Sequence, residues 1–111
     1  MSTIKINNKK YDVPELTFRH LPMMERNGLT LRDMLSSKYI FTASEIFVSI
    51  VVDCEIEQAD YLLEQHILGG GTILPIYEAF MDAMRDSNFF KTLLERSQKK
   101  KDKDETLAEN Q

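Results

Sequence analysis

Residues 72–96 run Thr-Ile-Leu-Pro-Ile-Tyr-Glu-Ala-Phe-Met-Asp-Ala-Met-Arg-Asp-Ser-Asn-Phe-Phe-Lys-Thr-Leu-Leu-Glu-Arg, and any fold of this chain has to be built around them. Leu74, Tyr77, Phe80, Met81 and Met84 recur at helical spacing, which predicts an amphipathic helix with one broad apolar face. Thr72 follows three glycines and is placed to cap that helix by accepting a backbone N–H; Pro75 falls in the first turn, where its missing donor does no harm. Asp86-Ser87-Asn88 favours a cap or turn, so Phe89-Phe90 is expected to open a second helical stretch continued by Leu93 and Leu94. Neighbouring helical positions lie about 100° apart, and the two phenylalanines therefore cannot point the same way. The phase of Leu93 and Leu94 sets Phe90 inward and leaves Phe89 nearer the rim, where a partner can reach it.

A chain of 111 residues holds one core. The expected architecture is mainly α with a small N-terminal β-hairpin (α+β), a compact helical bundle over residues 1–96. The hairpin falls at 3–13: alternating segments flank Asn7-Asn8, residues that tolerate left-handed turn conformations, with Ile4 and Ile6 sharing a face and Tyr11 and Val13 doing the same. Thr17 is a possible cap, but Pro22 predicts a break near Leu21, with a short helix from Pro22 to Asn27 closed by Gly28. Thr30, Leu31, Met34 and Leu35 suggest another short helix. Thr42, with Glu45 three residues on, reads as a capping box before Ile46, Phe47, Ile50 and Val51. That β-branched run also fits a buried strand, and the cap favours helix. Ile56, Ala59, Leu62, Leu63 and Ile67 form an amphipathic helix stopped by Gly69-Gly70-Gly71, which is either a hinge or a tight connection between antiparallel helices. Residues 97–111, rich in lysine and acid with almost nothing to bury, are expected to be a disordered charged tail.

Charge bears on partners. The formal net charge is −4, which argues against a general nucleic-acid surface. No Lys or Arg occurs between Lys38 and Arg85, while Glu45, Asp53, Glu55, Glu57, Asp60, Glu64, Glu78 and Asp82 all fall there. That stretch is either a docking surface for a basic partner or a set of acidic helix faces held in water. The lone Cys54 excludes an internal disulfide and fits a reducing compartment; the N-terminus lacks the apolar run of a signal peptide, so a cytoplasmic protein is expected. Neither membrane nor nucleic-acid partners are expected.

Catalytic and ligand-binding patterns are missing from the sequence. His20 and His66 stand apart with no metal-ligand spacing, and His66, late in its helix, fits a dipole role. The glycine run lacks the lysine of a nucleotide loop. No enzyme activity, cofactor or metal is expected. Met23, Met24, Met34, Met81 and Met84 either fill the core or make an adaptable apolar surface; adjacent Met23 and Met24 cannot both face inward. The candidate partner-binding residues are Phe89, Phe90, Met81, Met84, Met23 and Met24.

Taken in order, the segments Ile-Lys-Ile-Asn-Asn-Lys-Lys-Tyr-Asp-Val-Pro-Glu-Leu-Thr-Phe, Arg-Asn-Gly-Leu-Thr, Glu-Gln-Ala-Asp-Tyr-Leu-Leu-Glu-Gln-His and Asp-Ser-Asn-Phe-Phe resemble the tail assembly chaperones of long-tailed (siphovirus-type) bacteriophages. The resemblance covers residues 3–96. Its distinctive part is the last: the family often carries Ser-Gly-Phe-Phe there, and Asn88 stands in the glycine position. The resemblance implies a non-enzymatic factor in the host cytoplasm. Such a factor binds and solubilises the tape-measure protein, helps recruit tail-tube subunits, associates with itself in some cases, and is absent from the mature virion. Many members of that family are also made in a longer form by ribosomal frameshifting, for which Lys99-Lys100-Lys101 is the candidate slippery site in this sequence. The competing readings are a small regulatory DNA-binding or antitoxin-like protein with a helix-turn-helix around Gly28, and a structural tail component.

Overall fold

A computed structural model describes residues 2–34 and 36–96; the expected tail at 97–111 and position 35 lie outside the described residues. The chain opens with an antiparallel ribbon of β1 (Thr3–Ile6) and β2 (Lys9–Asp12), in which Ile4 faces Tyr11 and Lys5 faces Lys10. Asn7 and Asn8 take φ of 52° and 67°, the paired left-handed conformations of a two-residue turn whose twist matches that of the strands. Ile6 and Val13 are buried and Ile4 and Tyr11 pack at the edge of the core, while Lys5 and Lys10 face water. A two-stranded ribbon alone is marginal. This one lies on the helices, β1 against those at Ile56–Leu68 and Leu74–Asp86 and β2 against that at Ile40–Val52.

Helix α1 spans His20–Arg26. No break occurs near Leu21: because the helix begins at His20, Pro22 falls in its first turn, where the lost donor has no acceptor to miss. His20 closes that turn itself, its Nδ1 accepting the Thr17 N–H at 2.9 Å. At the other end the Leu29 N–H donates to the Met24 carbonyl and the Gly28 N–H to Glu25, with Gly28 at φ 88°. This is the paired-bond ending that places an apolar residue on each side of the turn, and both Met24 and Leu29 are fully buried. The four-residue α2 (Leu31–Met34) follows, with Thr30 Oγ1 accepting the Asp33 N–H.

Three longer helices make the body: α3 (Ile40–Val52), α4 (Ile56–Leu68) and α5 (Leu74–Asp86). Residues 88–96 form α6. The run Ile46 to Val52 is helical, with Ala43, Ile46, Phe47 and Val48 buried and α3 packed on both α4 and α5. Thr42 is not its cap. A 3-10 turn at Ser37–Tyr39, capped by Ser36, feeds straight into the helix, so Thr42 already sits in the first turn. Helix α3 ends with Asp53 left-handed at φ 61° and a clasp in which Ser49 Oγ donates to the Cys54 carbonyl at 2.6 Å.

The buried face of α5 is Ile76, Phe80, Ala83 and Met84, with Tyr77 and Met81 half-buried and Leu74 exposed. The stripe predicted from Leu74 and Tyr77 is thus rotated toward Ile76 and Ala83, because β1 covers that flank. Nor does Thr72 cap the helix. Ile73 holds the cap position without a side-chain bond, and the Thr72 carbonyl is engaged elsewhere. Phe80 meets Phe47 of α3 with ring centroids 5.5 Å apart, at the centre of the core.

Candidate partner-binding surface

The six candidate residues separate into three inside and three at the edge. Phe90, Met84 and Met24 are fully buried, and Phe89, Met81 and Met23 pack on the core while keeping part of their surface in water. In each adjacent pair one side chain goes in and its neighbour stays out, as the angular step of a helix requires. Phe89 and Phe90 meet edge to face, 5.0 Å between centroids. Met23 lines a different hollow, with Arg26, Ser49, Cys54 and Ile56, so the six do not form one continuous patch.

The joint between α5 and α6 explains how Phe89 is displayed. Ser87 leaves the helix in an extended conformation and caps α6: the Phe90 N–H donates to Ser87 Oγ at 3.2 Å and the Lys91 N–H to the Ser87 carbonyl at 2.9 Å. The same hydroxyl donates its proton to the Leu16 carbonyl at 2.5 Å, across 71 residues of sequence. Ser87 and Leu16 are both fully buried, so this one oxygen satisfies a donor and an acceptor that water cannot reach. The segment after β2 is thereby pinned to the start of α6. Phe18, two residues past Leu16, is carried over Phe89, and the rings meet edge to face at 5.7 Å. Phe18 is 63% exposed. An aromatic pair with one ring in water stands on a joint that Ser87 and Phe90 hold from beneath.

A second joint lies at the glycine turn. Helix α4 ends with the Gly70 N–H on the Ile67 carbonyl and the Gly71 N–H on the His66 carbonyl, with Gly70 at φ 101°. His66 stands in the last turn of α4, as expected, and also bridges two other segments. Its Nδ1 accepts the Asn7 N–H at 2.9 Å and its Nε2 meets the Thr72 carbonyl at 3.0 Å. Since Nδ1 accepts, the proton sits on Nε2 and donates to Thr72. The imidazole lies over Gly71, where a Cβ would run into the ring, so the third glycine is required by close approach and the turn is a tight connection.

Electrostatics on the helices follow the acidic stretch. Glu45 on α3 meets Asp60 on α4, and burial, the hydrogen bond to Asp60 and its negative charge push the Glu45 carboxyl up to about 7. Burial, then Arg19, lowers the His20 imidazole, and burial, then Asp53 and Glu55, raises the Cys54 thiol, which makes Cys54 a poor nucleophile. Arg85 pairs with Asp82 on the surface of α5. A groove of about 590 Å³ between β1 and α5 is lined by Ile4, Glu15, Asp82 and Asp86 among others. Among the described residues no three His, Cys, Asp or Glu side chains converge as metal ligands, and no helix is long and apolar enough to cross a membrane.

Phe18 escaped the sequence reading, although it closes the Leu-Thr-Phe end of the segment that carries the resemblance. Its partnership with Phe89 depends on the Ser87 to Leu16 bond, which has no local signature. Phe41, Tyr61 and Leu68 also stand exposed; Tyr61 and Leu68 are out of phase with the buried Ala59 and Leu63 of their helix, whereas Phe41 shares the stripe of the buried Ser44 and Val48 and carried no such signal. No protein-family model, no curated protein and no solved structure matches this chain.

Proposed function

We propose that the protein is a non-enzymatic assembly chaperone of the phage-tail type. In this reading it binds and solubilises a long, helical tape-measure protein in the host cytoplasm, helps recruit tail-tube subunits and leaves before the virion is complete. The observation that carries the reading is the α5–α6 joint, where Ser87 and Phe90 build a rigid base and Phe18 and Phe89 remain as a surface aromatic pair. Rigid aromatic anchors supply large contact area at low entropic cost and dominate binding energy where they are buried by a partner. An amphipathic helix from a tape measure has the apolar stripe to cover them. The resemblance of the Asp-Ser-Asn-Phe-Phe segment to the family's Ser-Gly-Phe-Phe falls on this same joint.

The regulatory reading finds less support. Helix α2 has four residues, about 6 Å of helix at 1.5 Å per residue, too short to traverse a major groove about 12 Å wide. The structural-subunit reading calls for a sheet-rich tube protein, and the two strands among the described residues have four residues each.

Co-expression with a long helical tape-measure protein tests the proposal. The soluble fraction of that protein is expected to rise, and the two should co-purify. An insoluble partner at every expression ratio, together with a tight and salt-sensitive DNA shift by the purified chain, would turn the assignment to the regulatory class.

A further inference from the structure

The hydrogen-bond phase of the hairpin decides which way each peptide group of β1 points. The Val13 N–H donates to the Ser2 carbonyl at 2.9 Å, and along the ribbon Ile4 stands opposite Tyr11 and Ile6 opposite Lys9. Bonded and unbonded pairs alternate in an antiparallel ladder. Ser2, Ile4 and Ile6 therefore spend their peptide groups on β2, while Thr3 and Lys5 turn N–H and C=O away from it, and the Asn7 N–H follows the same outward phase. That last donor is already taken: His66 Nδ1 accepts it at 2.9 Å, so the free edge of β1 faces the joint between α4 and α5. The outward groups of Thr3 and Lys5 have no partner among the described residues. Such an edge is a template for one more strand.

Beside that edge runs a groove whose other wall is α5. Two hollows of about 590 and 530 Å³ meet there, sharing Thr3, Ile4, Ala79 and Asp82. Along the wall Pro75, Ala79, Asp82 and Asp86 follow at helical spacing, roughly 17 Å of helix at about 1.5 Å per residue. About five residues of extended chain, at about 3.3 Å each, match that length. Charge describes the occupant. At the end near the glycine turn Lys5 stands with Glu78, and the charge is mixed. At the other end Glu15, Asp82 and Asp86 line the groove with no Lys or Arg among the described lining residues; Arg85 pairs with Asp82, which leaves Glu15 and Asp86 to an incoming cation. We infer that the β1 edge and α5 form a docking groove for an extended segment of a partner protein. The segment pairs with Thr3 and Lys5 as a third strand, sets small or β-branched side chains over Ala79, and carries Lys or Arg beside Glu15 and Asp86. A second copy offering its own β1 through a two-fold axis would bring the acids of the two α5 helices together. The opposite edge of the ribbon carries Lys9 and Lys10, charges that discourage pairing. The inference rests on β1 and α5 and stands whether or not the chain serves a tape measure.

The test uses the full chain and a synthetic peptide of about seven residues, long enough to pass the groove, that alternates Val and Thr and has Arg at each end. One control carries Glu in place of Arg; another keeps every side chain but is N-methylated along its backbone, which removes its donors. Fluorescence anisotropy is expected to show binding of the Arg peptide, weakened about tenfold or more in both controls. Thr3→Pro removes an outward N–H and no ladder bond, and should weaken binding about tenfold. Lys10→Pro makes the same change on the outer edge of β2 and should leave it unchanged. Because neither proline breaks the ribbon's own bonds, circular dichroism should report the wild-type fold in both variants. Amide hydrogen exchange should slow at Thr3 and Lys5 in the complex and stay the same at Lys10. Absence of binding by the Arg peptide, undiminished binding of the N-methylated peptide, equal loss in Thr3→Pro and Lys10→Pro, or unchanged exchange at Thr3 and Lys5 would each overturn the inference. So would a concentration-dependent dimer abolished by Thr3→Pro, which would assign the edge to a second copy.

Discussion

At the α5–α6 joint Ser87 reaches Leu16, and at the α4–α5 joint His66 reaches Asn7; both tie the N-terminal segment to the helices, by two hydrogen bonds apiece to backbone groups. They differ in access to water. Ser87 and Leu16 are fully buried, whereas the His66 bonds lie at the surface. A buried donor or acceptor stripped of its partner costs its whole desolvation penalty, while an exposed one rebinds water. The first joint should therefore be stiff and sensitive to substitution, and the second tolerant. This difference suits their positions: one displays an aromatic pair, and the other closes a turn.

The largest expected break is Phe90→Ala. Removing a fully buried phenylalanine costs about 3–5 kcal/mol, a large share of the about 5–15 kcal/mol that holds a domain together, so urea unfolding should show a strongly shifted midpoint. Ser87→Ala comes next, at about 1–3 kcal/mol, because the Leu16 carbonyl and the Phe90 N–H both lose their partner. Phe89→Ala removes a half-exposed ring and should cost about 1 kcal/mol, mostly its edge-to-face contacts. The glycine joint should respond less. His66→Ala is expected to cost under about 1 kcal/mol. Gly71→Ala should destabilise the wild type by about 1 kcal/mol through the displaced imidazole, and much less in the His66→Ala background. That non-additivity, measured as a double-mutant cycle, isolates the steric contact.

Dependence on pH should be the smallest effect, and its two contributions have opposite sign. The His20 pKa is depressed in the fold below 6.5, so its share of stability is present above pH 6.5 and is lost as pH falls through the folded value. Glu45 is raised from 4.5 to about 7, so its share is full below pH 4.5 and is lost as pH rises toward 7. Glu45→Gln should remove the loss between pH 5 and 7 and leave the variant more stable than wild type at pH 8. Thermal unfolding across that range reads both.

Much of this fold was legible because local rules agreed. Asn7-Asn8 announced the hairpin, the 3.6-residue period announced the helices, and the step between Phe89 and Phe90 placed one in and one out. What failed were starts and phases. Thr42 and Thr72 carry good cap chemistry, yet a 3-10 turn pre-empts the first, and the second gives its carbonyl to His66 while Ile73 takes the cap position. Pro22 suggested a break that a helix starting two residues earlier avoids. The candidate surface was half visible. Phe89 followed from periodicity, but Phe18 reaches it only through a hydroxyl bonded 71 residues away, a contact that no local pattern encodes.

The central claim is that the α5–α6 joint spends its buried half on the fold and leaves Phe89 for a partner. Its most direct test is the soluble fraction of a long helical tape-measure protein when it is co-expressed with the Phe89→Ala chain, read beside the wild type and beside that protein alone. The proposed role predicts a folded variant with partner solubility fallen toward the level of the partner alone. Solubility equal to wild type, with Phe89→Ala folded and expressed at the same level, would contradict it.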